Sequence, residues 1–294
     1  MLMIALGGFF MALADSVPGV SGGTVAFIMG FYDDFIGSIE RLFYGKADEK
    51  KKAVIFLLKL ALGWVVGMGL AVVALNAMFE SHIYLISSVF IGFIAGAIPL
   101  IIMEEKESYK HWAKGLPFFI IGVVLVVAVT LANGAGGGAS MDLSALSLGL
   151  AVKLVLVGMV AISAMFLPGI SGSTMLLIFG AYMPVMSSLR KIMGGEMAYL
   201  PGILVFICGI ILGALLVVKL IRTCLEKFRP QTVYMILGMM IGSFYSIVMG
   251  PTTLENAQPA MTFGAFNWLA AILGVALVLL LQFIRNKTEK VEDK

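Results

Sequence analysis

Charged residues are scarce in this sequence. Asp, Glu, Lys and Arg account for 13% of its 294 positions, whereas hydrophobic residues account for 61%. Soluble domains carry roughly a quarter charged residues, so this chain cannot bury its apolar surface in one aqueous fold. No polar stretch is long enough for a separate soluble domain, and a net charge of +3 gives no indication of nucleic-acid binding. The composition therefore predicts an integral membrane protein.

Residues typical of catalytic and metal sites are also few. There are two cysteines, Cys208 and Cys224, and two histidines, His82 and His111. One cysteine lies in an apolar run and the other in a basic stretch, so we expect neither a disulfide nor a metal site. The sequence has no Gly-x-x-x-x-Gly-Lys-Ser/Thr loop that would indicate ATP binding. We therefore predict a protein that is not an enzyme and that has no metal or other cofactor.

The first apolar stretch, 1–14, differs from a signal peptide. It has no basic residue at its start, and it leads into Asp15 rather than into a small-residue cleavage site. A signal peptide needs both a basic start and a small-residue cleavage site. We therefore expect this stretch to belong to the mature fold.

A heptapeptide occurs twice, 150 residues apart. The run Pro18-Gly19-Val20-Ser21-Gly22-Gly23-Thr24 returns as Pro168-Gly169-Ile170-Ser171-Gly172-Ser173-Thr174. The same interval relates further pairs: Gly30 and Gly180, Tyr32 and Tyr182, Gly63 and Gly213, Tyr84 and Tyr234, and Gly92 and Gly242. A register that persists over about 75 residues indicates a duplicated unit.

Each copy begins with an apolar segment that glycine and proline interrupt, at 1–40 and 144–189. Three uninterrupted segments follow in each copy, at 53–79, 83–103 and 116–132, and at 201–222, 232–249 and 265–284. Each is about long enough to cross a hydrocarbon core of about 30 Å. Glycine and proline break helices, and non-helical backbone at membrane depth is tolerated only inside protein or beside a cavity. Such breaks in equivalent positions of two halves indicate a transporter's binding site.

The basic residues favour re-entrant hairpins for the interrupted segments. With hairpins and a cytoplasmic N-terminus, the cytoplasmic loops and tail hold all of the 20 Lys and Arg residues except Lys59, Lys153, Arg190 and Lys191. If these segments crossed the membrane instead, the basic cluster at 219–231 would lie outside, against the positive-inside rule. Three crossings per copy, an odd number, invert the second copy relative to the first.

The predicted fold is therefore an all-α polytopic membrane protein with two inverted-topology repeats. Each repeat is a re-entrant helical hairpin followed by three transmembrane helices, and both termini are cytoplasmic in the inner membrane. The divisions are a first repeat at 1–132, a linker at 133–143, a second repeat at 144–284 and a cytoplasmic tail at 285–294.

The two serine loops have the composition of an anion site. Ser21 and Ser171 stand where a serine caps a helix, and the glycines leave backbone N–H groups uncovered. A helix N-terminus favours an anion, so we expect the loops to meet near the midplane and bind a phosphate. The predicted binding residues are Ser21, Gly22, Gly23, Thr24, Ser171, Gly172, Ser173 and Thr174, with Pro18, Gly19, Pro168 and Gly169 shaping the loops. Alternatively, each loop is only a tight bend whose hydroxyls satisfy backbone groups.

Asp15 breaks the symmetry, because its counterpart is Met165. An ionisable residue in a membrane segment is a functional candidate by default. A carboxylate beside a phosphate would repel it unless protonated, which makes Asp15 our candidate for coupling transport to protons. The alternative is that Asp15 caps its own turn.

Other ionisable residues lie near the ends of the segments. Four close the two hairpins at equivalent positions, either as guides for a headgroup or as interfacial anchors: Glu40, Arg41, Arg190 and Lys191. Lys59 and Lys153 lie inside apolar runs, from which they either snorkel to the interface or face the site.

A wider resemblance includes the first loop. The signature of a bacterial and archaeal membrane-protein family is similar to the run Ala14-Asp15-Ser16-Val17-Pro18-Gly19-Val20-Ser21-Gly22-Gly23-Thr24, followed by Gly30-Phe31-Tyr32. Members of this family are regarded as undecaprenyl-phosphate translocases, and the resemblance covers essentially the whole chain. It implies return of undecaprenyl phosphate from the outer to the cytoplasmic leaflet for peptidoglycan and other envelope polymers. The second loop departs from the first in Ser173 and in lacking the aspartate.

The expected partners are thus a polyprenyl-phosphate lipid and the bilayer, with protons as candidate coupling ions. The oligomeric state is left open, a homodimer included. Two other functions remain as alternatives: a secondary transporter of a small soluble anion, which needs a sealed aqueous path, and a lipid-phosphate enzyme.

Overall fold

The computed structural model describes residues 2–16, 20–70, 76–106, 112–135, 141–253 and 257–292. In this part of the chain the regular structure is helical, without a β-strand. Helices satisfy their backbone polar groups within one segment, as a hydrocarbon surrounding requires. The described helices include six that are long and apolar enough to span a membrane: Ala47–Leu70, His82–Met103, Gly115–Ala132, Leu148–Phe166, Met197–Lys227 and Arg229–Thr252. The chain is an all-α polytopic membrane protein.

Twelve α-helices and two short 3₁₀ turns make up the described fold. The helices are α1 Leu2–Asp15, α2 Gly22–Ile28, α3 Tyr32–Tyr44, α4 Ala47–Leu70, α5 Asn76–Glu104, α6 Trp112–Ala135, α7 Leu148–Phe166, α8 Gly172–Ile178, α9 Tyr182–Met193, α10 Leu200–Lys227, α11 Arg229–Met249 and α12 Trp268–Glu292. The 3₁₀ turns are Met197–Tyr199 and Gly250–Thr253.

The predicted segment 53–79 lies partly outside the described residues. The described part of α4 extends to Leu70 and that of α5 starts at Asn76, so a continuous segment stays a prediction. At its other end α4 begins earlier than predicted, because Asp48 and Glu49 lie in the first turn, where the helix dipole favours acidic side chains. The break predicted before residue 83 has a counterpart in the non-helical backbone of His82 inside α5.

The long helices pack in four pairs. α1 lies against α4, α7 against α10, α5 against α12, and α6 against α11. Glycines bring the backbones of each pair together: a Cβ on Gly63 would lie 1.8 Å from the Ala5 carbonyl oxygen. Gly213, the counterpart of Gly63, faces Met159 in the same way. Small residues at such contacts are typical of membrane helices.

The contacts also define helix directions. Ala5 faces Gly63 and Phe9 faces Gly67, so α1 runs parallel to α4, and the same pattern makes α7 parallel to α10. α4 begins in the basic segment 46–52, and α10 ends in another basic segment.

Both basic segments lie at one end of the bundle. Arg229, which starts α11 directly after α10, forms an ion pair with Glu105, which follows α5. α5 returns from the far end of α4, so the start of α4 lies at this basic end too. As a result, α1 runs away from the basic end and α7 runs toward it.

Candidate functional site

Two seven-residue helices, α2 and α8, occupy equivalent positions of the two halves. Ser21 caps α2 in an extended conformation, and its hydroxyl accepts a hydrogen bond from the Gly23 N–H at 3.1 Å. This confirms the predicted cap. Gly30 and Gly180 follow the two helices with φ of 73° and 65°, a left-handed conformation that glycine adopts without a steric penalty.

The loops of the two halves meet, as predicted. The Ser21 hydroxyl donates to the carbonyl oxygen of Leu167 at 3.2 Å, and the Gly169 N–H donates to the Thr24 hydroxyl at 2.8 Å. A third bond runs from the Tyr32 hydroxyl to the Phe166 carbonyl oxygen at 2.8 Å. These bonds satisfy backbone groups at the C-terminus of α7 and just beyond it, which would otherwise be buried without partners.

The first loop holds the second. Ser21 and Thr24 are 0% and 1% exposed, and their hydroxyls bond to backbone groups. Gly23 lies so close to the other loop that a Cβ there would be 3.1 Å from the Phe166 carbonyl oxygen. For Ser21 and Thr24, the contacts agree with the alternative prediction, in which the hydroxyls satisfy backbone groups.

The second loop is more open. Gly172, Ser173 and Thr174 are partly exposed, and Ser171 is 7% exposed. The hydroxyls of Ser171 and Ser173 lie 2.7 Å apart and share one hydrogen bond. Each hydroxyl has one proton and two lone pairs, so the pair retains a donor for a ligand. The second loop therefore has a hydroxyl group that is able to donate a hydrogen bond to a ligand.

Two residues position the second loop from behind. Gly169 has φ +85°, and a Cβ there would lie 2.6 Å from the Met239 carbonyl oxygen on α11. Pro168 is buried beside it. Their counterparts in the first loop, Pro18 and Gly19, lie outside the described residues.

The carboxylate of Asp15, the last residue of α1, lies at the N-terminus of α2. Its carboxylate accepts a hydrogen bond from the Gly22 N–H at 2.7 Å and another from the Trp64 indole N–H at 3.3 Å. Gly22 leaves room for it, because a Cβ there would lie 2.8 Å from the carboxylate. Asp15 therefore caps α2, the helix that follows the loop, rather than its own turn. Met165 cannot provide the same group at α8.

Two grooves lie beside the loops. The larger has a volume of about 690 Å³ and runs from Tyr32 and Leu167 at the loops to Gln231 and Thr232 near the basic end. The smaller, of about 270 Å³, lies between α1, α2, α4, α5 and α12. Sites that enclose small ligands typically have roughly 300–1,000 Å³, so the larger groove is in that range.

The grooves are related by the repeat. Four positions of the smaller groove have counterparts 150 residues later in the larger one: Leu13 and Ser163, Leu70 and Leu220, Ile86 and Ile236, and Val89 and Met239. Both are lined mainly by apolar side chains. They therefore suit an apolar chain more than a hydrated ion.

Two of the residues predicted to guide a headgroup form hydrogen bonds close to their own helices. Arg41 donates from Nε to the Gly37 carbonyl oxygen, and the Lys191 ammonium donates to the Tyr199 hydroxyl at 2.6 Å. Glu40 is half-buried on α3. The side chain of Arg190 lies outside the described residues.

Lys59 and Lys153 differ in surroundings. Lys59 is half-buried on α4, and Lys153 is exposed on α7. Neither contributes to the lining of the two grooves described above. Among the described residues no group of three or more His, Cys, Asp or Glu side chains could hold a metal ion.

Sequence reasoning missed two polar groups of this site. Tyr32 bridges to the second half, and its recurrence as Tyr182 was the signal that could have identified it. Trp64 bonds to Asp15 across the α1–α4 contact, and a single indole in an apolar run gave no such signal.

Comparisons with known proteins agree on one family. Residues 11–264 match the family described as undecaprenyl phosphate translocase-like. A polyprenyl-phosphate transporter of Staphylococcus aureus is 33% identical over 250 residues, which cover 85% of this chain and 87% of that protein. A polyprenyl-phosphate transporter of Vibrio cholerae is 29% identical over 263 residues, covering 85% and 78%. No solved structure matches significantly.

Proposed function

Because the chain belongs to the undecaprenyl phosphate translocase-like family, we propose that it returns undecaprenyl phosphate from the outer to the cytoplasmic leaflet of the inner membrane. The lipid is then reused for peptidoglycan and other envelope polymers. Family and relatives support transport of a lipid phosphate, and their transporter names fit a function without catalysis.

One observation carries the proposal: the partly exposed second serine loop directly follows a residue that lines the apolar groove. That residue is Leu167, whose carbonyl oxygen accepts a hydrogen bond from the Ser21 hydroxyl. An amphiphile can place its phosphate at Ser171, Ser173 and Thr174 and its first isoprene units along the groove. Leu220 on the groove wall is 61% exposed, so the remaining chain can stay in the bilayer.

The phosphate site is proposed to form from both loops with unequal roles. The second loop supplies hydroxyls and the backbone N–H groups around Gly172. The first loop, through Ser21 and Thr24, holds it in position. Hydrogen bonds to a charged ligand are stronger than those between neutral groups, which suits a phosphate in a protected site.

The helix directions support an inverted repeat. α1 runs away from the basic end and α7 toward it, and Phe166 ends α7 buried in the core rather than at the surface. Two interrupted segments entering from opposite sides are re-entrant hairpins in this proposal. The paired grooves then serve opposite sides of the membrane in alternation, the usual behaviour of inverted repeats.

Labelling from outside tests this topology. In a variant without Cys208 and Cys224, cysteines placed at Ala145 and Ala257 should react with a membrane-impermeant maleimide in intact cells. Both positions are exposed and lie at the end opposite to the basic segments. A cysteine at Lys52, exposed at the basic end, is the control and should react only after permeabilisation. Reaction at only one of the two outer positions would contradict the inverted repeat.

A native thiol in the groove tests the substrate. Cys224 lines the larger groove, whereas Cys208 is exposed on the same helix outside it. With Cys208→Ser as background, undecaprenyl phosphate at about ten times its dissociation constant should slow alkylation of Cys224 about tenfold, because only unoccupied protein reacts. The matched Cys224→Ser protein should show no protection of Cys208.

The same assay separates the alternatives. Inorganic phosphate should leave the alkylation of Cys224 unchanged, since it does not fill an apolar groove. Protection by inorganic phosphate and not by the lipid would favour a transporter of a small soluble anion. Release of phosphate from the lipid during the incubation would favour an enzyme.

A further inference from the structure

Arg229 joins three helices at the basic end. Its Nε and Nη2 donate to the two carboxylate oxygens of Glu105, and its Nη1 donates to Asp33 at 2.7 Å. The two acidic partners differ in their surroundings. The Glu105 side chain is 16% exposed, whereas that of Asp33 is 45% exposed. Glu105 thus holds one edge of the guanidinium with two bonds, and Asp33 holds the remaining corner with one.

This ion pair lies beside the larger groove, whose lining includes chain neighbours of both Arg229 and Asp33. Phe228, Gln231 and Thr232, the neighbours of Arg229, line the groove. Tyr32, directly before Asp33, also lines the groove, with its hydroxyl at the serine loops. The Arg229–Asp33 bond therefore joins two chain segments that each contribute a neighbouring residue to the groove lining.

We propose that Arg229 is a second phosphate site, at which the headgroup of the polyprenyl phosphate replaces Asp33 on the guanidinium. The proposal rests on the proposed function, since it assumes that the groove carries this lipid. Glu105 keeps the guanidinium in place during the exchange, and Asp33 moves into water at little cost because it is already half exposed. A planar guanidinium binds phosphate oxygens through directed hydrogen bonds. The return of Asp33 to Arg229 then releases the lipid.

The site has no counterpart at the other end of the repeat. The residue 150 positions before Arg229 is Phe79, and the one 150 positions after Asp33 is Met183. A cationic exchange point is thus assigned to the basic end alone. In this proposal the headgroup is therefore exchanged at Arg229 on one side of the membrane only.

Two variants that break the same ion pair test the proposal. Asp33→Asn removes the competing carboxylate and should tighten binding of undecaprenyl phosphate roughly tenfold, whereas Arg229→Gln should weaken it roughly tenfold. The matched control is Asp34→Asn, which removes a neighbouring exposed charge that is not bonded to Arg229 and should change affinity little. Affinity is measured on the full chain in nanodiscs, as protection of Cys224 in the Cys208→Ser background.

A purely structural brace predicts a different pattern. If the ion pair only held the helices together, Asp33→Asn and Arg229→Gln would change affinity in the same direction, or not at all, and the proposal would be overturned. Should Arg229→Gln fail to fold, the rise for Asp33→Asn against the Asp34→Asn control still decides. Failure of the unsubstituted protein to bind the lipid would instead overturn the proposed function, and this site with it.

Discussion

Replacing Ser171, Ser173 and Thr174 together by alanine should weaken binding of undecaprenyl phosphate by at least about 100-fold, since two lost hydrogen bonds to a charged group, each worth about 1.5 kcal/mol, already account for that factor. The stability of the protein should change little. Ser171 and Ser173 bond to each other, and removing both partners of a hydrogen bond leaves neither unsatisfied. Affinity is measured by Cys224 protection and stability by thermal unfolding in detergent.

Thr24→Val is the contrasting variant. Its hydroxyl is buried and accepts the Gly169 N–H, so valine leaves that N–H without a partner. We expect the free energy of unfolding to fall by about 1–3 kcal/mol. A triple-alanine protein that lost as much stability as Thr24→Val, or that bound the lipid as tightly as the unsubstituted chain, would contradict the unequal roles of the loops.

Asp15→Asn should abolish the effect of a pH gradient on transport while retaining lipid binding. Asparagine keeps an oxygen that accepts the Gly22 N–H, but it cannot take up a proton. We expect the negative charge of a phosphate at the neighbouring loop to favour protonation of Asp15, so that lipid and proton would move together. Vesicles containing the purified protein, with an imposed pH gradient and labelled undecaprenyl phosphate, measure the effect.

The contacts of Asp15 make this result specific. Its carboxylate bonds to the Gly22 N–H and to the indole of Trp64, neither of which titrates near neutral pH. A lost response can therefore be attributed to Asp15 itself. If Asp15→Asn transported the lipid at the unsubstituted rate and with the same pH profile, the residue would be a cap and nothing more.

The repeat made part of this site predictable. The recurrence of the heptapeptide at one interval identified both loops, and membrane physics placed such breaks in the protein interior, where they meet. The division of labour between the loops was not predictable. It depends on which hydroxyl faces a backbone group of the other half, and the two copies share nearly the same residues.

The helix pairing was also hidden from the sequence. Almost every face of these helices is apolar, so periodicity does not distinguish a face that packs from one that meets lipid. Glycines such as Gly63 and Gly213 do mark close contacts, but the sequence does not say which helix each one meets.

Helices of the first half pack against helices of the second half, and this has a consequence for biosynthesis. α5 packs against α12, and about 160 residues separate the end of one from the start of the other. At roughly 5–20 residues per second, α5 is made about 8–30 seconds before its partner leaves the ribosome. During that interval its glycine-lined face meets lipid or an insertion factor. A nascent chain interrupted after the first half therefore carries two helices, α5 and α6, whose packing partners do not yet exist.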